Sequence, residues 1–198
     1  DWFGFSLANL GDFDGDGDDD ILAVHASWGS YLFANDGTGS FPSPIDPIPS
    51  YAIHAPAASG DFDGNGDLEI AVSRIGTQGI PMTEVYHHDG TSAADWLQPM
   101  MEGNNHYSTI IGDVDGDKAP DILTTGGGLP TGGVYAWTAS GAPIPGFPKG
   151  TEADAQAPAV IADLDGNGTV EIIASSDWDF DDATQTLKGR STLYVWEL

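Results

Sequence analysis

The sequence predicts an all-β fold built from four similar units of about 50 residues. A nine-residue acidic segment occurs four times, and its successive first aspartates lie 49, 52 and 50 residues apart. Short apolar runs rich in β-formers flank each copy, and the chain contains 27 glycines and 13 prolines, which favours turns over helices. We call the copies loop 1 (12–20, DFDGDGDDD), loop 2 (61–69, DFDGNGDLE), loop 3 (113–121, DVDGDKAPD) and loop 4 (163–171, DLDGNGTVE).

Each unit is predicted to contain four short strands. One strand ends at the acidic loop, a second begins directly after it, a third is rich in aromatic residues, and a short proline-flanked segment such as 142–147 closes the unit. Asp-Gly or Ser-Gly follows three of the third strands, which is a hairpin signal. The predicted first strands are 3–10, 52–59, 107–111 and 157–162, the second strands are 21–25, 70–73, 122–125 and 172–175, and the third strands are 31–34, 85–88, 134–137 and 193–196.

Four strands in each repeat match the blade of a β-propeller. A β-sandwich gives no reason for fourfold repetition, and a parallel β-helix has a much shorter period. We predict one domain, 1–198, with blades at approximately 1–49, 50–101, 102–152 and 153–198. The last blade lacks its fourth strand, so either a segment outside this sequence completes it or its edge is open. Four blades either close a small propeller or belong to a larger one, and the missing strand favours the second.

The acidic loops have the residue pattern of a hard-cation site. Oxygen-bearing side chains occupy positions 1, 3, 5 and 9, and a backbone carbonyl is expected at position 7. Ca²⁺ takes six to eight oxygen ligands at about 2.3–2.6 Å. We therefore predict about four structural Ca²⁺ ions, one in each repeat. The alternative is a turn whose acidic side chains only accept hydrogen bonds from backbone N–H groups. The predicted ligands are Asp12, Asp14, Asp16, Asp18 and Asp20; Asp61, Asp63, Asn65, Asp67 and Glu69; Asp113, Asp115, Asp117, Ala119 and Asp121; and Asp163, Asp165, Asn167, Thr169 and Glu171.

Loop 3 is predicted to be the weakest of the four cation sites. Lys118 stands at position 6, where the other loops have glycine, and brings a positive charge and a backbone conformation with φ > 0. Pro120 follows at position 8. An EF-hand is excluded in all four copies because position 12 is never the required glutamate and a strand, not a helix, is expected next.

Composition limits the partners and the location of the chain. Five basic residues stand against 31 acidic ones, for a net charge of −26, which argues against nucleic-acid partners. No apolar run of about 18 residues is present, so no membrane insertion is expected. The chain has no cysteine, and a fold that relies on millimolar Ca²⁺ instead of disulfides fits a secreted, extracellular or cell-surface protein.

No catalytic residues are predicted, because the common nucleophile, zinc-protease and phosphate-loop motifs are absent. His87-His88 resembles a ligand pair, but we predict that His88 takes the place of Trp137 and Trp196, which pack between blades.

Trp28 and Trp178 lie in loops after second strands, at the end of the units opposite the acidic loops. Stacking on sugars or contact with a protein is one interpretation, and ordinary loop packing is the other. Arg74, Asn104 and His106 are further candidates on that face, and the acids of 177–182 form either a fifth metal site or a solvated segment.

The first unit resembles FG-GAP (integrin α-type) and VCBS repeats through Phe3-Gly4, Ser6-Leu7-Ala8 and Gly11 followed by DFDGDG. The segment 134–148, VYAWTASGAPIPGFP, is similar to the outer half of a blade in bacterial secreted members. The resemblance implies a propeller whose loops bind Ca²⁺ between the first two strands of each blade. Members include adhesion receptors, lectins, polysaccharide lyases and accessory domains, so this resemblance alone does not fix a function.

The leading interpretation is a secreted calcium-binding propeller that acts as a non-catalytic binding or adhesion module for a glycan or a protein surface. One alternative is the propeller portion of a secreted polysaccharide-degrading enzyme of the lyase type, although so few basic residues would poorly neutralise an acidic sugar. The other is an architectural subunit of an extracellular assembly, with self-association through the open last blade.

Overall fold

The computed structural model describes residues 6–25, 29–38, 41, 56–75, 81–87, 90–99, 105–128, 131–176, 180–181, 186–187 and 191–198. Within these ranges the fold is all-β, with sixteen strands and no helix. The described residues therefore include no helical segment that could cross a membrane.

The strands form four antiparallel sheets and one small hairpin. Sheet 1 contains β1 (Ser6–Gly11), β2 (Asp20–His25) and β3 (Gly29–Phe33). Sheet 2 contains β4 (Ala58–Gly60), β5 (Glu69–Ile75), β6 (Pro81–Tyr86) and β7 (Ser92–Pro99). Sheet 3 contains β8 (Asn105–Gly112), β9 (Asp121–Gly128), β10 (Thr131–Trp137) and β11 (Lys149–Thr151). Sheet 4 contains β12 (Val160–Ala162), β13 (Glu171–Ser175) and β16 (Leu193–Glu197), and β14 (Phe180–Asp181) pairs with β15 (Thr186–Leu187).

The four sheets repeat one topology. In each sheet the first strand pairs with the second and the second with the third, and the acidic loop joins the first two. One cross-strand pair recurs in all four, between an isoleucine that follows the loop and an aromatic residue of the third strand. The pairs are Ile21–Phe33, Ile70–Tyr86, Ile122–Trp137 and Ile172–Trp196.

The pairing corrects the predicted place of His88. Tyr86, not His88, is the counterpart of Trp137, because Tyr86 is the residue that faces Ile70 across the sheet. The sequence supports the same equivalence of Tyr86 and Trp137, since Tyr86 precedes Asp89-Gly90 by three residues, as Trp137 precedes Ser140-Gly141. His88 itself lies outside the described residues.

The fourth strand of the third unit also differs from its prediction. It is Lys149–Thr151, whereas 142–147 forms a turn with an isolated bridge between Trp137 and Pro143. Pro143 and Pro145 have no N–H to donate, so this segment cannot sustain a ladder. The first strands of sheets 2 and 4 begin later than predicted, at Ala58 and Val160, each two residues after a proline. The predicted fourth segment of unit 1 lies mostly outside the described residues, and sheet 4 has three strands, as predicted.

Consecutive sheets pack face to face. One buried cluster joins sheets 1 and 2, a second joins sheets 2 and 3, and a third joins sheets 3 and 4. Adjacent residues of a strand point to opposite faces, so the second strands of the two inner sheets are buried on both sides. In β9, Ile122 belongs to the cluster with sheet 2, and Leu123 belongs to the cluster with sheet 4; both are fully buried.

Tryptophans occupy the contacts between sheets, as predicted for Trp137 and Trp196. The ring of Trp96 in β7 meets Trp137 of sheet 3 edge-on, with centroids 6.3 Å apart, and its indole N–H donates to the carbonyl of Ala139 at 2.5 Å. Trp196 packs against the cluster between sheets 3 and 4. These aromatic contacts hold neighbouring units together, since each bridges two sheets.

Replacing Ile122 by alanine should lower the free energy of unfolding by about 2–5 kcal/mol, because the cavity opens inside a strand that is covered on both faces. Chemical denaturation in the presence of Ca²⁺ measures the loss. Leu193→Ala is the matched control, because that leucine is 69 % exposed and should cost little. Equal losses in the two variants would contradict the stacking of sheets 2, 3 and 4.

Candidate metal centres

Each acidic loop is fastened by its last carboxylate, at position 9. This residue begins the second strand, is almost completely buried, and accepts the backbone N–H of loop position 2. The four bonds are Phe13 N to Asp20 Oδ2 at 2.9 Å, Phe62 N to Glu69 Oε2 at 2.8 Å, Val114 N to Asp121 Oδ2 at 2.7 Å, and Leu164 N to Glu171 Oε2 at 2.7 Å.

The remaining loop oxygens accept backbone amides at fixed offsets. In loop 4 the carboxylate of Asp163 accepts the N–H groups of Gly166 and Gly168, at 2.7 and 2.9 Å. Loops 2 and 3 repeat this arrangement around Asp61 and Asp113. The chain therefore winds around the position-1 carboxylate, with the oxygens of positions 3 and 5 accepting the N–H two residues later.

This winding requires a left-handed backbone at positions 4 and 6. Glycine supplies it in seven of the eight places, for example Gly64 at φ 75° and Gly66 at φ 96°. In loop 3 the residue is Lys118, at φ 71°, as its position in the repeat predicted. Lys118 is the one non-glycine residue with positive φ among the described residues, so loop 3 carries backbone strain that the other loops avoid.

The winding of each loop brings together carboxylates that are separated in the sequence. In loops 1, 3 and 4, one ligand atom from each of three acids lies within 4.8 Å of the others, and loop 2 gathers two acids and a histidine. Such groups could hold a metal ion. Metal binding by each predicted ligand stays a prediction, including the position-7 carbonyls and the amides of Asn65 and Asn167. Asp20, Asp61 and Asp117 are predicted ligands that lie outside these groups. The groups are Asp12, Asp14 and Asp16; Asp63, Glu69 and His87; Asp113, Asp115 and Asp121; and Asp163, Asp165 and Glu171.

Two buried carboxylate oxygens are better satisfied by a bound cation than by the hydrogen bonds of the metal-free loop. Asp121 Oδ1 and Glu69 Oε1 are buried and have no hydrogen-bond partner among the described residues. Burial, with smaller contributions from the charges of Asp115 and Asp117, raises the pKa of Asp121 to about 6 against two opposing backbone hydrogen bonds. Burial also raises the pKa of Asp14. A cation beside these groups would favour their ionised forms, so the donor chemistry fits Ca²⁺.

The comparison with known families agrees with the repeat. Residues 12–72, from loop 1 into β5, match the FG-GAP-like repeat family. This segment is an FG-GAP repeat. No curated protein matches the chain. The FG-GAP segment contains loops 1 and 2, and the same cross-strand pair and loop bonds recur beyond it in sheets 3 and 4.

The five predicted ligand-face residues are largely outside what the structure describes. Trp28, Asn104 and Trp178 lie outside the described residues, and for Arg74 and His106 only the backbone is described. Arg74 is near the end of β5, and His106 is near the start of β8. Both therefore lie at strand ends opposite the acidic loops, as predicted. Within 177–182, β14 forms part of a hairpin that the sequence analysis did not predict.

Two features near the acidic loops were not predicted from the sequence. A cavity of about 450 Å³ lies between loops 3 and 4, with Asp115, Ile144, Pro145, Thr169 and Leu198 in its wall. No local sequence pattern predicts this cavity, because its walls come from separate units. The second feature is His87 beside loop 2, which the sequence analysis considered only as half of a His87-His88 pair and did not assign to this loop.

Asp121→Asn should flatten the pH dependence of stability of the metal-free protein. Between its ordinary pKa of 3.8 and about 6, folded Asp121 keeps a proton that the unfolded chain has released. Its contribution to stability is therefore lost as pH rises through this window. Denaturation between about pH 4 and 7, compared with the unsubstituted chain, checks the slope. An unchanged slope in Asp121→Asn would contradict the burial argument.

Proposed function

We propose that this chain is a secreted, calcium-binding β-propeller that acts as a non-catalytic binding or adhesion module for a glycan or a protein surface. The observation that carries the proposal is the fourfold recurrence of one hydrogen-bonded acidic loop between the first two strands of stacked sheets. The FG-GAP match over residues 12–72 supports the same class of module.

The exposed face of sheet 4 supports the ring arrangement of a propeller. Val160, Ile173 and Val195 lie side by side across its three strands, with Leu193 nearby on the same face. Val160 and Val195 are about half exposed, while the opposite face of this sheet is packed against sheet 3. A closed ring would cover this apolar face with another sheet, as the inner sheets are covered here.

Calcium in these loops has a structural role in the proposal. The position-9 acids lie at the start of the second strands, which carry much of the core. An ion held there joins the end of the first strand to the start of the second. It also offsets repulsion among acids in a chain of net charge −26. Because the unfolded chain cannot assemble such a shell, bound Ca²⁺ stabilises the folded state by mass action.

Variable loops over a constant scaffold support the binding role. The acidic loops have nearly constant length, whereas the connections from second to third strands differ widely: 26–28, 76–80, 129–130 and 176–192. A surface formed by unlike loops on a repeated framework is typical of recognition sites. Trp28 and Trp178 belong to two of these connections, which is why we assign the ligand to that end of the units.

Loop 3 should fill last when Ca²⁺ is added. Its Lys118 brings a positive charge and strained backbone into the loop, so Lys118→Gly should move the last binding step to lower Ca²⁺ concentration. Native mass spectrometry across a Ca²⁺ titration counts the bound ions directly. Lys118→Ala is the matched control because it removes the charge and keeps the Cβ, so its shift should be smaller. Four equal steps in the unsubstituted chain would contradict this ranking.

A glycan and extracellular-protein array, probed in Ca²⁺ and in EDTA, tests the binding function. We expect calcium-dependent retention on one ligand class, and loss of that retention in Trp28→Ala or Trp178→Ala. Phe41→Ala is the matched control, since it removes an exposed aromatic ring that lies outside the connections between second and third strands. No retained ligand on broad arrays would count against the module, and unsaturated products from acidic polysaccharides would favour the lyase alternative instead.

A further inference from the structure

Loop 2 differs from the other three loops by an imidazole. His87 directly follows Tyr86, so its counterparts after Phe33, Trp137 and Trp196 are Ala34, Thr138 and Glu197. In sheet 4 this position reaches the acidic loop, because Glu197 Oε1 accepts the side-chain N–H of Asn167 at 3.2 Å. The fold therefore directs the residue after the paired aromatic toward its own loop, and only unit 2 has a histidine there.

The imidazole lies beside a buried carboxylate oxygen of Glu69. His87 Nδ1 is 3.5 Å from Glu69 Oε1. Glu69 is 1 % exposed; its Oε2 accepts the N–H of Phe62, and its Oε1 has no hydrogen-bond partner among the described residues. The His87 side chain is 38 % exposed, so an ion from solvent can reach it.

Asp63 completes a three-ligand group. One ligand atom from each of Asp63, Glu69 and His87 lies within 4.8 Å of the other two. The Asp63 oxygens also accept the backbone and side-chain N–H groups of Asn65, at 3.1 and 3.0 Å, which orients the carboxylate. Two carboxylates and one imidazole form a donor set unlike the all-oxygen groups of loops 1, 3 and 4.

We propose that Asp63, Glu69 and His87 form a site for a borderline divalent transition metal of the Zn²⁺ class. Imidazole suits Zn²⁺ and its neighbours, whereas Ca²⁺ takes oxygen. Tetrahedral ligands at about 2.0–2.2 Å from Zn²⁺ lie roughly 3.4 Å apart, which matches the gap between Nδ1 and Oε1. The site deepens the proposed cation-binding function at one loop, and it does not require Ca²⁺ in the others.

Co²⁺ and Zn²⁺ titrations of the metal-free chain test the proposal. Co²⁺ reports its ligand field by visible absorption, and Zn²⁺ competition then gives the affinity at the same site. We expect one Co²⁺ with a nitrogen-containing, four-coordinate spectrum, displaced by equimolar Zn²⁺. His87→Ala and His87→Gln should each weaken binding about tenfold or more and abolish that spectrum. His88→Ala, which removes the adjacent imidazole, is the matched control and should leave both unchanged.

Unchanged Co²⁺ and Zn²⁺ binding in both His87 variants would overturn the proposal, as would an equal loss in His88→Ala. Far-ultraviolet circular dichroism of each variant establishes that it is folded. The result is also distinguishable from a failure of the calcium function. If Ca²⁺ binds the chain but His87-dependent Zn²⁺ binding is absent, only the present inference fails. If His87-dependent Zn²⁺ binding is observed without any Ca²⁺ binding, only the calcium proposal fails.

Discussion

The whole arrangement depends on a buried carboxylate at the first residue of each second strand. Asp20, Glu69, Asp121 and Glu171 each accept an amide from the beginning of their own loop, which ties the loop to the strand that follows. A buried charge is costly unless it is compensated, and backbone amides meet only part of that demand at Asp121 and Glu69. The structure therefore has partly uncompensated negative charge at the point where strand, loop and core meet.

The rest of the molecule follows from fixing that point four times. Once the loop is wound, the second strand starts at a defined residue, and the isoleucine after the acid faces the aromatic residue of the third strand. Its neighbours then alternate between the two adjoining sheets, so each inner sheet is covered on both faces. The clustered acids and the stacked core are thus two consequences of one local constraint. This is why a chain with so many carboxylates can still form a contiguous packed interior.

The sequence specified what depends on local repetition and missed what depends on pairing between units. Loop spacing located the four acidic turns, the positive φ of Lys118 and the second strands, because each rests on residues only a few positions apart. It misplaced the fourth strand of unit 3, since the prolines of 142–147 interrupt a ladder that residues 149–151 complete. It also misassigned His88, because the aromatic position is defined by cross-strand pairing with Ile70. The cavity between loops 3 and 4 has no sequence signal at all.

Thermal unfolding of the purified chain in EDTA and in millimolar Ca²⁺ tests the central claim most directly. If the buried carboxylates await a cation, Ca²⁺ should raise the melting temperature strongly, since each site filled at 100 times its dissociation constant contributes about 2.7 kcal/mol. Mg²⁺ at the same concentration should act less, because it keeps its water ligands. A cooperative transition at the same temperature in EDTA and in Ca²⁺ would contradict the account, and the loops would then be turns held by backbone amides alone.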